Sequence, residues 1–456
     1  MTVGISTVTN SSKRILSNKT ISRKRIFSKR YSNKTYWFLT FQTGVTTING
    51  LALSSQGYIY TTGATSSGSY VNKIDTHGNV MYQKNVSASS GQDIDIDSSG
   101  NLYICDTGRR VIKLDETATS VVWTRLLSSG TFINLSIDQS TQNIFVSLTA
   151  TVASDGNSGG NGIMSWNSSG TFNGGYGYIY AYPTGTYWTT PLSRCVAGGG
   201  GVFTVGNASQ IDAFGTADNG SFTGVSNKNN NYQRGYTVRY QWSDGSVWNK
   251  FIREPQVGGA ANLGLYGTGI ALDSSYNSYV CFYRTVGSGE LYLAKYNSSG
   301  TLQWQVGRSG AIPYNVAVDP DGNPYVVGYY SSAFNSYTAA LISKYNSSGT
   351  MLWTRSLTYK GAAIKITDIR VDSSSIYISG FNSTPLGFVA KLPNDGSGTG
   401  NFWPFIYSVQ TNSSAASGFN DYSLGAGRTA TIFTSSTSST SISNSTATSA
   451  VTMNNI

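Results

Sequence analysis

The chain has 456 residues with 31 Lys or Arg against 21 Asp or Glu, and only 11% of its residues are charged. That length admits two or three ordinary domains, or one large one if an internal repeat runs through it. No stretch of about 18 apolar residues occurs, which excludes a helical membrane span, while abundant Gly (52) and Tyr (31), with much Ser, Thr and Asn, suit an all-β protein rich in turns.

The charge is concentrated at the start. Residues 1–35 carry nine basic groups (Lys13, Arg14, Lys19, Arg23, Lys24, Arg25, Lys29, Arg30 and Lys34) and no acid, which leaves the remainder at 22 basic against 21 acidic. Few apolar residues separate these charges, so the segment cannot bury enough surface to fold alone. It reads as an assembly arm that orders against an acidic partner surface, with nucleic acid as the other polyanion it fits; the plain alternative is a solvated tail. No apolar core follows the basic residues, so a secretory signal is not expected. Cys105, Cys195 and Cys281 are scattered and odd in number. They read as buried free thiols of a protein made in a reducing cytoplasm.

From Tyr36 onward one phrase recurs. Its clearest form is Ala317-Val318-Asp319-Pro320-Asp321-Gly322-Asn323-Pro324-Tyr325-Val326-Val327, a loop, then Leu341-Ile342-Ser343-Lys344-Tyr345-Asn346-Ser347-Ser348-Gly349-Thr350-Met351-Leu352-Trp353. Two tight turns and a loop join four short strands. Comparable units begin near Gly50, Ile94, Leu135, Cys195 (degenerate), Ile270 and Ile369. Seven units of roughly 40–55 residues predict a seven-bladed β-propeller of four-stranded antiparallel blades. Each sheet has two apolar faces and covers them by packing on its neighbours. The last unit shows three clear strands. Tyr36–Phe41 is expected to supply its fourth and close the ring; Phe402–Tyr407 competes, but Pro404 suits an edge. Recurrent outer-strand aromatics (Tyr82, Trp123, Trp248, Trp304, Trp353) are expected to fill the spaces between blades. The expected layout is a basic arm over 1–35, the propeller over 36–408, and an extended arm over 409–456. Within that last arm 13 of the 16 residues 434–449 are Ser or Thr, so it reads either as a tail or as a β-arm pairing with a neighbour.

Lys295–Trp304 and Lys344–Trp353 (Lys-Tyr-Asn-Ser-Ser-Gly-Thr, then Trp) resemble the bacterial β-propeller repeat family and its NHL-like relatives, over about residues 50–408. This resemblance implies a fold and little about activity. The wider layout resembles structural proteins of marine and cyanobacterial phages: a basic start, loose propeller repeats, Ala390-Lys391-Leu392-Pro393-Asn394-Asp395-Gly396-Ser397-Gly398-Thr399-Gly400, and a hydroxyl-rich ending. That likeness implies a virion component of the tail or another appendage.

No motif supplies a chemistry. The single histidine, His77, falls in a turn, and neither a nucleophile elbow nor paired metal-ligand spacing occurs. Asp93-Ile94-Asp95-Ile96-Asp97-Ser98-Ser99-Gly100 lacks the Gly position and closing Glu of a calcium loop, and reads as a strand running into a turn. Gly198–Gly201 lacks the Lys-Ser/Thr of a phosphate loop. The long connections fall between second and third strands or between repeats, so they share one face of an antiparallel propeller. Tyr182, Tyr187 and Trp188 in that region form a candidate docking face for glycan or protein, against the plainer reading of a strand. The expectation is a non-enzymatic virion structural protein without cofactor or metal, made in the host cytoplasm. In it a rigid propeller is held by its arms to other virion proteins and to copies of itself, and faces a host glycan. The alternative is a bacterial surface or secreted glycan-binding propeller; a propeller hydrolase or lyase fits least.

Overall fold

The computed structural model describes residues 28–32, 36–41, 44–127, 130–151, 159–181, 187–188, 192–209, 233–241, 245–253, 265–284, 289–333, 336–382, 386–402, 405–409, 420–423, 431–432 and 444–445. The recurring phrase builds one four-stranded antiparallel unit each time. In the reference unit the innermost strand Ala311–Val318 runs into a turn at Asp319, whose Oδ1 accepts the N–H groups of Asp321 and Asn323 at 3.1 and 2.8 Å. Gly322 takes the left-handed conformation (φ 79°) that the turn requires. On the returning strand Pro324–Ala333, Tyr325 donates its hydroxyl to Asp319 Oδ2 at 3.2 Å, and Lys344 on the third strand, Ser336–Tyr345, brings its Nζ to 3.7 Å from the same oxygen. Trp353 on the outermost strand, Met351–Tyr359, packs edge-on against Tyr325, with ring centroids 6.1 Å apart. The same set recurs as Asp97, Tyr103, Lys113 and Trp123, and as Asp273, Tyr279, Lys295 and Trp304.

The tryptophans also link one unit to the next. Trp304 donates its Nε1–H to the Ser347 carbonyl at 2.8 Å, and its ring lies where a Cβ on Gly349 (φ 85°) would be, 2.9 Å away. Trp123 does the same to Ser168 and Gly170. The phrase therefore encodes two things at once: a turn, and a flat seat on that turn for the preceding unit's indole.

Trp37 occupies this role at the junction of the two ends. Its strand, Trp37–Phe41, pairs antiparallel with Gly387–Pro393 in the register Trp37↔Lys391 to Thr40↔Phe388, and its indole donates to the Thr76 carbonyl at 3.2 Å over Gly78 of the first unit. Every residue of the strand is buried, because both faces are covered. Phe38 packs with Phe388 and Phe405 on one side; Trp37, Leu39 and Phe41 pack with Ile48, Leu51 and Tyr70 on the other. Ser28–Ser32 adds a further antiparallel strand outside Trp37–Phe41.

Hydrogen bonding corrects the expected blade number. The described strands form six sheets, not seven. The first five are built on the innermost strands Val45–Leu53, Gly91–Ile96, Thr131–Asp138, Leu192–Gly198 and Leu265–Leu272. The sixth is eleven-stranded and contains both of the last two repeats. They merge because Met351–Tyr359 turns through Lys360 (φ 51°) and Gly361 (φ 75°) directly into Ala362–Val371, pairing Thr358↔Ala363 and Tyr359↔Ala362. Two left-handed residues make a hairpin turn whose twist matches the strands. Here it carries the ladder from one repeat into the next instead of releasing it.

Phe405–Val409 lies along the outside of Met351–Tyr359 and pairs on its other side with Gly400–Phe402, so the segment that competed for ring closure belongs to a hairpin added to that edge. Further on, Asn420–Ser423 pairs with Gly245–Arg253, Thr431–Ile432 with Phe172–Ala181, and Asn444–Ser445 with Val121–Leu127. The C-terminal segments thus add strands to outer edges of the same chain, in reverse order of the repeats. Cys105, Cys195 and Cys281 are buried and free.

Candidate binding site at the propeller axis

The innermost strands of successive sheets approach one another around the axis without a continuous ladder between them. Their N–H groups would be orphaned there if no side chain answered them. In three of the repeats one position does so. Asp93 Oδ2 accepts from Leu135 N at 3.1 Å, Asn134 Oδ1 from Cys195 N at 2.6 Å, and Asp368 Oδ2 from Leu51 N at 2.9 Å. Two residues along, Asp95 Oδ2 accepts from Ile137 N and Ser136 Oγ from Ala197 N. Where the neighbour fills the space, the position is glycine: a Cβ on Gly50 would lie 2.5 Å from Asp93 Oδ1, and one on Gly269 2.7 Å from Asn315 Cα.

This ring concentrates charge. Asp368, fully buried, accepts from Arg370 Nη1 at 2.8 Å and Asn315 Nδ2 at 2.7 Å, and Arg194 Nη1 lies 3.7 Å from it. Arg194 also donates through Nη2 to the Thr367 carbonyl at 2.9 Å. Burial pushes the Asp93 carboxyl up to about 6, the Asp368 carboxylate adds to the rise, and the guanidiniums of Arg194 and Arg370 oppose it. The carboxylate oxygens are committed to backbone N–H groups, amides and guanidiniums, which is the arrangement of a structural clasp.

A consequence for pH follows. Asp93 binds its proton more tightly folded than unfolded, so its stabilising contribution is full below about pH 4 and lost as pH rises through about 6. The difference is on the order of 2 kcal/mol between pH 4 and 7. Asp93→Asn removes this titration. Its stability relative to the parent is therefore expected to rise by about that amount from pH 4 to 7 in urea unfolding. A pH-independent offset between the two proteins would rule the assignment out.

Beside the charged ring lies a cavity of about 480 Å³, lined by residues near the starts of innermost strands and the ends of the strands that return from them. Its wall includes Asn49, Gln92, Tyr283, Tyr314, Lys365 and Phe381, with Arg194 beside the buried carboxylates. Lys365 Nζ stands 4.4 Å from the Tyr314 ring centroid and 5.7 Å from that of Phe381. No ion pair to Lys365 occurs among the described residues. Tyr283 stacks on Tyr266 at 4.7 Å. Asn49 donates through Nδ2 to the Gly91 carbonyl.

The residues singled out from sequence lie elsewhere. Tyr187 and Trp188 form a short strand opposite Ala181 and Tyr180 at the edge of the third sheet; Tyr182 lies outside the described residues. Of the basic arm, Lys29 and Arg30 belong to the strand Ser28–Ser32, opposite Thr40 and Leu39, and Lys13, Arg14, Lys19, Arg23, Lys24, Arg25 and Lys34 lie outside the described residues. His77 is exposed in its turn, and Asp97 opens a turn by accepting from Ser99 N and Asn101 N. Among the described residues no cluster of His, Cys, Asp and Glu could hold a metal ion, and no helix is long and apolar enough to cross a membrane. The axial pocket is not legible in the sequence because its residues come from all seven repeats. The only local signal was a polar residue, Asp93, Asn134, Arg194, Asn315 or Asp368, placed just ahead of the apolar pattern of the inner strand.

No protein-family model and no curated protein matches the chain. Among solved structures it is similar to BamB from Moraxella catarrhalis, at 10% identity over 76% of this chain and 85% of that one with a TM-score of 0.41. It is also similar to the Dos1 propeller, at 12% identity over 81% of this chain and 96% of that one with a TM-score of 0.45. At that identity the likeness concerns fold alone, and the strand topology described above is that of a β-propeller of four-stranded units.

Proposed function

We propose that the protein is a non-enzymatic structural and docking component of a larger particle, a phage tail or appendage protein in the setting its sequence resembles. The propeller is the rigid body, and its partners are other virion proteins and further copies of itself. The observation that carries this reading is the behaviour of the terminal segments. They anneal as added strands on sheet edges, and added-strand pairing is a mode by which extended segments also join separate chains. The basic residues 1–27 add an electrostatic attachment to acidic surfaces, nucleic acid being the less favoured partner. Chains lacking 1–27 or 410–456 are expected to melt as the parent does yet fail to co-sediment with assembled particles. Full incorporation of both truncated chains would overturn the reading.

A second reading, a bacterial surface or secreted propeller that binds glycans, is favoured by the aromatic and amide lining of the axial pocket. Binding of glycans by the isolated protein without any particle association supports it.

A further inference from the structure

We propose that the axial pocket binds a sugar acid, a pyranose ring bearing one carboxylate. The inference gives the second reading its ligand class and stands on the pocket alone, so it holds on a particle or on a cell. Three features select the ligand. The ammonium of Lys365 projects into the cavity over Tyr314 and is paired with no carboxylate among the described residues, so an anion completes it. Tyr283, Tyr314 and Phe381 put aromatic rings in the wall, a surface of the kind that packs on the apolar face of a pyranose, while Gln92 and Asn49, whose Nδ2 is bonded to the Gly91 carbonyl, put amides there for its hydroxyls. The volume, about 480 Å³, is that of a small-ligand site and accommodates one or two sugar rings.

The charge balance argues for a single carboxylate over a phosphate. The guanidiniums of Arg194 and Arg370 face the buried carboxylates of Asp93, Asp95 and Asp368, so among the described residues Lys365 is the one cation of the pocket left for a ligand, and the group as a whole carries no excess positive charge. A doubly charged ligand would meet the buried carboxylates behind Arg194 uncompensated.

The test uses the full chain and isothermal titration with three probes: glucuronic acid, glucose and inorganic phosphate. Glucuronic acid is expected to bind, and glucose and phosphate to bind at least about tenfold more weakly. Lys365→Met should weaken glucuronic acid by at least about tenfold, Lys365→Arg should retain it, and Tyr314→Ala should abolish saturation transfer to the sugar ring protons, each with the parent's melting temperature. Absence of glucuronic acid binding to a normally melting parent overturns the proposal, as does unchanged binding by Lys365→Met. Equal binding of glucose overturns the acid specificity while leaving glycan binding intact, and equal binding of phosphate reduces the site to an anion site. Particle incorporation is scored separately, so failure here is distinguishable from failure of the structural role.

Discussion

Replacing Asp368 with alanine is expected to lower the unfolding free energy by about 3–5 kcal/mol, read as a fall in the urea midpoint. The side chain ties the last repeat to the first: Oδ2 accepts from Leu51 N, and Oδ1 from Arg370, Asn315 and Ile369 N. Alanine takes the acceptor away from a guanidinium, an amide and two backbone N–H groups, and each bond left unmade carries its desolvation cost. Asp368→Asn separates the contributions, since it keeps an acceptor for Leu51 while losing the charge. It is expected to fall between parent and alanine. A drop below about 1 kcal/mol for alanine would show that the ring of clasps is dispensable.

Truncation of Phe38 to alanine is expected to cost a similar amount, about 3–5 kcal/mol. The ring is fully buried, stacks on Phe405 at 4.7 Å and 16°, and packs against Phe388 in the space between the last two repeats. The strand that carries it makes the only ladder between the two ends among the described residues, so a cavity here also weakens closure. Val409→Ala, at an exposed edge position, is the control and should change little. Equal midpoints for Phe38→Ala and the control would mean that Trp37–Phe41 contributes no packing that matters.

The repeating unit could be read from sequence because each part of its phrase acts locally. Asn346 Oδ1 gathers the Ser348 and Thr350 N–H groups, Gly349 supplies the left-handed residue, and the aromatic three residues after Thr350 lies in the outer strand that Met351 begins. The clasp at the axis could not be read, since its bonds join residues such as Leu51 and Asp368 and its position holds Asp, Asn, Arg or Gly in turn. Each choice makes sense only beside the residue on the adjoining strand. The sheet count failed for the opposite reason. Lys360-Gly361 between two alternating apolar runs is a hairpin signal in plain view, but it sits where a crossover between repeats was expected. Tyr187 and Trp188 stand out in the sequence as part of an aromatic cluster in a long connection between repeats. The axial pocket instead draws its aromatics singly, as Tyr283, Tyr314 and Phe381.

Leu39 and Val389 are ladder partners, and this has a bearing on how the molecule is born. At ordinary ribosomal speeds the interval between emergence of the two is roughly tens of seconds. Throughout it, Trp-Phe-Leu-Thr-Phe waits without its mate, a short apolar β-former of the kind that sticks to copies of itself. A nascent chain stalled before Gly387 would leave that segment unclaimed and ready for capture by chaperone or protease. The late-made strand thereby acts as a seal certifying that every intervening repeat was delivered.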